Sequence, residues 1–217
     1  VWGAQRVDNE DRLPRNFGVL HGIESTYGAS PLRLRTFETL YDGLAGDGVA
    51  ALRALLAVSH VVTWRKSLTE PSEPVITAGE GDAATTVHSL ESPWPYVWRA
   101  TSSEEMPDDA AALARLREVA FNPMTTVLLA LDEPRGVLRH MDGFGGDVSG
   151  VERSPGRVSV STSGDGPGWL VFSEMYYPGW RATVDCAAAT GQRADVALIA
   201  IPVPAGTHEV TLAFTSR

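Results

Sequence analysis

The chain has 217 residues and is short of cysteine, of lysine and of long apolar runs. Its one cysteine, Cys186, has no partner for an intramolecular disulfide and cannot contribute to a multi-cysteine metal site. The longest apolar stretches, Val49 to Val62 and Val196 to Ala205, are broken by Arg53 and His60 or by Pro202 and Pro204. Neither reaches the roughly 18 uninterrupted apolar residues that a membrane-spanning helix requires. Lys66 is the one lysine among 18 basic residues, which stand against 27 acidic ones for a formal net charge of −9. No basic excess is left to neutralise phosphates, so a nucleic-acid partner is not expected. The motifs of nucleophilic, nucleotide-binding and metalloprotease sites are missing as well: there is no G-x-S-x-G, no P-loop, no G-x-G-x-x-G and no H-E-x-x-H. No catalytic residues, no metal and no cofactor are therefore expected. The chain begins at Val1, without an initiator methionine or a charged-then-apolar leader, and so reads as a piece of a longer protein.

What is present is turn chemistry. With 21 glycines, 14 prolines and 43% hydrophobic residues, the composition is that of a folded, strand-rich protein. Short extended structure is expected around Asn16 to Gly28. A helix starting at Ser30-Pro31 carries Leu34, Phe37, Leu40 and Tyr41 on one face and closes at Gly43. A second helix, Asp47 to Ala57, turns Leu52, Leu55 and Leu56 inward and leads into a strand from Val58 to Trp64. Thr69 to Pro74 reads as a loop, because two prolines in four residues oppose both helix and ladder. Strands follow at Thr85 to Leu90 and Tyr96 to Thr101, then a helix from Asp108 to about Val119 with acids at its positive end. A further strand covers Thr125 to Leu131.

Beyond a boundary at Glu133-Pro134 the pattern is almost entirely β. Strands at 148–153, 157–162, 169–175, 181–185, 196–201 and 208–215 are separated by turns such as Ser154-Pro155-Gly156 and Tyr177-Pro178-Gly179. The expected fold is α+β and β-rich: an α+β part over residues 1–133, then an antiparallel β-sandwich over 134–217. Alternation places Leu170, Phe172, Val184, Ile199, Val210 and Leu212 in its core.

Several clusters invite a chemical reading. His21 and Glu24 lie three apart, but no second histidine follows at ligand spacing. The Asp142 to Asp147 loop is acidic and glycine-rich, yet lacks EF-hand periodicity and reads as a connection. Trp94, Tyr96 and Trp98 alternate and form either a stacking platform or core packing against the Asp108 helix. Tyr176, Tyr177 and Trp180 flank a Pro-Gly turn and either close the sandwich end or offer a ligand surface. Arg181 beside them suits a phosphate or uronate group.

Gly168 to Asp185, reading GWLVFSEMYYPGWRATVD, followed by Ile199 to Val210, reading IAIPVPAGTHEV, resembles the C-terminal signature of the YfhO-like bacterial membrane proteins. Cys186 stands where that family usually has glycine after the aspartate. The resemblance implies a polyprenyl-phosphate-sugar-dependent glycosyltransferase with many membrane helices ahead of a soluble extracytoplasmic domain. On that reading this chain is the soluble domain, non-catalytic and tethered at the outer face of a bacterial cytoplasmic membrane. Its partners would be its own transmembrane domain and a cell-envelope glycan acceptor, with Tyr176, Tyr177, Trp180 and Arg181 as the ligand-binding residues. A free-standing carbohydrate-binding or adhesion module is the alternative.

Overall fold

A computed structural model describes residues 6–10, 23–26, 34–81, 84–131 and 146–215. The expected extended segment before Gly28, the Ser30-Pro31 helix start, His21, most of the Asp142 loop and the Glu133-Pro134 boundary lie wholly or largely outside them. The chain divides into two compact units, one of residues 1–33 and 49–95, the other of 34–48 and 96–217.

The first unit is built on a five-stranded sheet. Its strands are β1 (Arg6–Asn9), β2 (Glu24–Ser25), β3 (Val58–Thr63), β4 (Ser72–Ala78) and β5 (Thr85–Leu90), in the order β2-β1-β3-β5-β4. β1 runs parallel to both neighbours, while β3, β5 and β4 pair antiparallel. The helix that precedes β3 covers Val49–Leu55 and buries Leu52 and Leu55, with Leu56 buried just beyond it, as the apolar spacing requires. β4 corrects the loop reading at residues 72–74, while residues 69–71 are irregular as expected. Pro74 is accommodated because β4 is an edge strand, and the register shifts between Pro74 and Ile76. Arg53, 2% exposed, is held by three carboxylates: Nε donates to Asp8 at 2.8 Å, Nη2 to Glu10 at 2.7 Å and Nη1 to Glu70 at 2.8 Å. Burial pulls its pKa down, but the bonds to Asp8 and Glu70 outweigh that and leave it raised.

The second unit is a sandwich. The helix α1 (Arg35–Gly43) belongs to it and buries Leu40, with Leu44 buried at its end. One sheet contains β6 (Val97–Ala100), β7 (Ser102–Met106), β8 (Thr126–Ala130), β11 (Gly168–Phe172), β14 (Gln192–Ala194) and β15 (Leu198–Val203), ordered β6-β11-β15-β14-β8-β7. The other contains β9 (Gly146–Ser154), β10 (Arg157–Gly164), β12 (Trp180–Val184), β13 (Ala187–Ala189) and β16 (Gly206–Phe214), ordered β13-β12-β16-β10-β9. The six-stranded sheet thus combines strands from both sides of residue 134. It is also not wholly antiparallel: β7 and β8 are parallel, with the helix Asp109–Leu116 crossing between them. Asp108 caps that helix by accepting the Ala111 N–H at 2.8 Å.

Between the sheets lie Val97, Val158, Val160, Leu170, Phe172, Ile199, Ile201, Val210 and Leu212, all at most 2% exposed. Val184 packs half-buried at the edge of the same core. β11 and β15 read as continuous apolar runs because both faces of their sheet are covered: Trp98, Trp169 and Val171 on the far face are also buried.

Two further charged groups are withdrawn from water here. Arg99, 7% exposed, bonds among the described residues to neutral oxygens: Thr162 Oγ1 at 3.2 Å and the carbonyls of Gly166 at 2.6 Å and Pro204 at 3.3 Å. Burial lowers its pKa. A Cβ at Gly164 would stand 2.7 Å from its guanidinium carbon, so the side chain lies where only glycine leaves room. Asp195 is fully buried at the β14–β15 turn. It accepts the Leu128 N–H at 3.0 Å, and burial pushes its pKa up to about 7.

Candidate functional site

The turn between β11 and β12 is fixed by backbone bonds. Tyr176 N–H donates to Ala197 at 2.7 Å, Gly179 N–H to Tyr177 at 2.7 Å, and Thr215 N–H to Gly179 at 2.9 Å. Pro178 and Gly179 supply the reversal, and glycine is needed for a second reason. A Cβ at residue 179 would stand 2.5 Å from the Phe214 ring.

Phe214, at the end of β16, is the residue that sequence reasoning missed. Its ring lies 5.4 Å from Trp180 in an edge-on contact and 6.1 Å from Tyr177. Tyr177 is 48% exposed and Phe214 41%, whereas Trp180 is half-buried and Tyr176 packs against the core. The four expected site residues therefore divide. Tyr177 and Trp180 join Phe214 in one cluster, and Tyr176, like Trp180, packs against the core. Arg181 is exposed on the other side of its strand, because side chains alternate along β12 and its neighbour Ala182 is in the core. The signal for Phe214 was its place two residues past Leu212, which carries the inward alternation to the open end of the sheet.

Trp98 settles into the core, with its indole N–H donating to Pro123 at 3.0 Å, and Tyr96 lies under the Arg153 guanidinium at 3.6 Å. Trp94 belongs to the first unit.

At the other end of β12, Asp185 and Cys186 have φ of 49° and 68°, the left-handed pair of a two-residue hairpin turn. A glycine at residue 186 would adopt this conformation without strain. Asp185 Oδ2 is 2.6 Å from His208 Nδ1, and Oδ1 accepts the Glu209 N–H at 2.9 Å. His208 Nε2 lies 3.1 Å from the Ala205 carbonyl, so a protonated ring donates at both nitrogens. The Asp185 bond, followed by the Ala205 carbonyl, raises the His208 pKa, and the histidine in turn lowers that of Asp185. The aspartate and histidine of the two C-terminal turns thus tie those turns together. Among the described residues no group of three His, Cys, Asp or Glu is placed to hold a metal ion, and no helix is long and apolar enough to cross a membrane.

Residues 148–217 match the family described as bacterial membrane protein YfhO. No curated protein and no solved structure matches the chain.

Proposed function

Starting from the match of residues 148–217 to a bacterial membrane protein family, we propose that the chain is a non-catalytic, extracytoplasmic domain of a polytopic, glycosyltransferase-like membrane protein, and that it orients a cell-envelope glycan acceptor. The observation that carries the glycan reading is the Tyr177–Trp180–Phe214 cluster at the end of the sandwich. Its rings are braced against one another and by the Gly179 turn, so Tyr177 presents a face to the C–H surface of a sugar at little further entropic cost.

The test is Tyr177→Ala, with melting temperature and glycan-array binding measured on the same preparation. The proposal expects binding to fall at least tenfold with the melting temperature held. Unchanged binding at unchanged stability removes the site, and a large drop in melting temperature assigns the ring to sealing the sandwich.

A further inference from the structure

The end of the five-stranded sheet that carries the aromatic cluster also carries two arginines. Arg157 on β10 and Arg181 on β12 both stand opposite Ala213 of β16, and Ser154 of β9 extends the same row. The next row inward, Val158, Leu212 and Ala182, faces the core, so the arginines point to the outer face. They are separated by two strand spacings, about 10 Å, with only a small side chain between them. Both are exposed, and among the described residues each bonds only to neutral oxygen: Arg157 to Thr211 Oγ1 at 3.5 Å, Arg181 to the Trp180 carbonyl at 3.1 Å. This contrasts with Arg53 and Arg115, each bound to two or more carboxylates. The acids of the outer face lie further from this end, Glu152 one same-face row along and Glu209 two. Glu209 there accepts the Ser161 hydroxyl. Around the arginines are the exposed Pro155 and Gly156 of one turn, Pro178 of the next, and the open edges of Phe214 and Tyr177.

We infer that this end of the sandwich is a lipid-contacting surface, with Arg157 and Arg181 on the phosphates of anionic phospholipids and Phe214 at headgroup level. Unpaired arginines flanking exposed aromatic rings on short turns are complementary to the anionic, half-apolar layer at a bilayer surface. The net charge of −9 opposes approach to an anionic surface, so on this inference the contact is made through the end that carries the two arginines. The inference rests on the proposed placement beside a membrane, but not on glycan binding. It would hold the Tyr177 face at the height of the headgroups.

The experiment uses the 217-residue chain with vesicles of phosphatidylcholine, with and without a third of phosphatidylglycerol, at low ionic strength. An environment-sensitive fluorophore is placed at residue 154 through Ser154→Cys in a Cys186→Ser background, or at the native Cys186, which lies at the far end of β12. The expected result is a blue shift at residue 154 with anionic vesicles only, and none at residue 186. Arg157→Gln and Arg181→Gln should each lower the partition coefficient about 5-fold and together about 25-fold, since an arginine near such a surface contributes about 1 kcal/mol. The double lysine variant should keep most of the binding. Equal binding to neutral vesicles, no binding to either kind, or a shift at residue 186 would overturn the inference. Loss of binding in the lysine variant, or displacement by inorganic phosphate, would instead mark a discrete anion site and overturn it too. If Tyr177→Ala loses glycan binding while vesicle partition persists, the two readings stand apart; if vesicle binding fails while glycan binding persists, only the lipid contact falls.

Discussion

Among the described residues each unit of the molecule withdraws one arginine from water, and the two surroundings are opposite. Arg53 in the first unit is enclosed by Asp8, Glu10 and Glu70, three carboxylates for one cation. Arg99 in the sandwich is enclosed by carbonyls, one hydroxyl and the space left by glycines, with no carboxylate among its described partners. The physical consequence is visible in their proton affinities, raised for Arg53 and lowered by burial for Arg99. A buried ion pair is costly to break from one side, because the partner charges stay behind; a lone charge held by neutral dipoles leaves only unsatisfied acceptors. The first unit is therefore the more sensitive to loss of its arginine.

That difference can be broken directly. Arg53→Met should cost about 3–5 kcal/mol in denaturant unfolding at neutral pH, since three carboxylates are left facing one another. Arg99→Met should cost about 1–3 kcal/mol, from stranded carbonyl groups. Equal costs would mean that the carboxylates around Arg53 find solvent on their own.

Apolar packing sets the scale against which these charges are judged. Phe172 is fully buried between the sheets, and Phe172→Ala should cost about 3–5 kcal/mol. A loss below about 1 kcal/mol would put the ring in solvent, with the register of β11 shifted by one residue.

Asp195 offers a third way to bury a charge, which is to neutralise it. Its pKa is raised from 3.8 to about 7 by burial. For an acid whose folded value lies above its unfolded one, the stabilising contribution is complete below the unfolded value and is lost as pH rises through the folded one. The protein should therefore lose stability between about pH 4 and pH 7, by up to about 4 kcal/mol at 1.36 kcal/mol per pH unit. Asp195→Asn keeps an oxygen for the Leu128 N–H and should flatten that slope. An unchanged slope would place the titration elsewhere.

Which of these features could be read from the sequence follows from the range over which each acts. The alternation Leu170, Phe172 and Val210, Leu212 is local, and it fixed the faces of β11 and β16 correctly. The capped helix after Asp108 is local too. By contrast, β7 reads Ser-Ser-Glu-Glu-Met, which carries no strand pattern and pairs only because a helical crossover returns the chain beside it as β8. The partners of Arg53 lie 43 and 45 residues before it and 17 after, and no periodicity marks them. Arg181 was placed with its aromatic neighbours by adjacency in sequence, whereas strand alternation sends it to the other face, beside an Arg157 that lies 24 positions away in the chain. Phe214 joined Tyr177 only through the pairing of β12 with β16.

The exposed pair Asp185–His208 gives the smallest effect and the sharpest contrast with the buried charges. The histidine pKa is raised, first by its bond to Asp185, and the aspartate is lowered by the same bond. The histidine's contribution is complete below its ordinary value of 6.5 and is lost as pH rises through the raised folded value. The aspartate's contribution is complete above 3.8 and is lost as pH falls through the depressed one. The pair therefore stabilises most, with no slope of its own, between about pH 4 and 6.5, within the range over which Asp195 loses its contribution. With Asp185 half in solvent, screening keeps the effect small. His208→Asn, measured against the parent at about pH 5.5 and pH 9, should lower the melting temperature by about 2 °C or less at the acid value and leave it unchanged at the alkaline one. Adding 1 M salt should shrink the acid difference, because the contact is open to counter-ions. A difference that persists at alkaline pH would show that the imidazole acts there as a neutral brace between the two turns, and the contrast with the buried charges would then be one of packing.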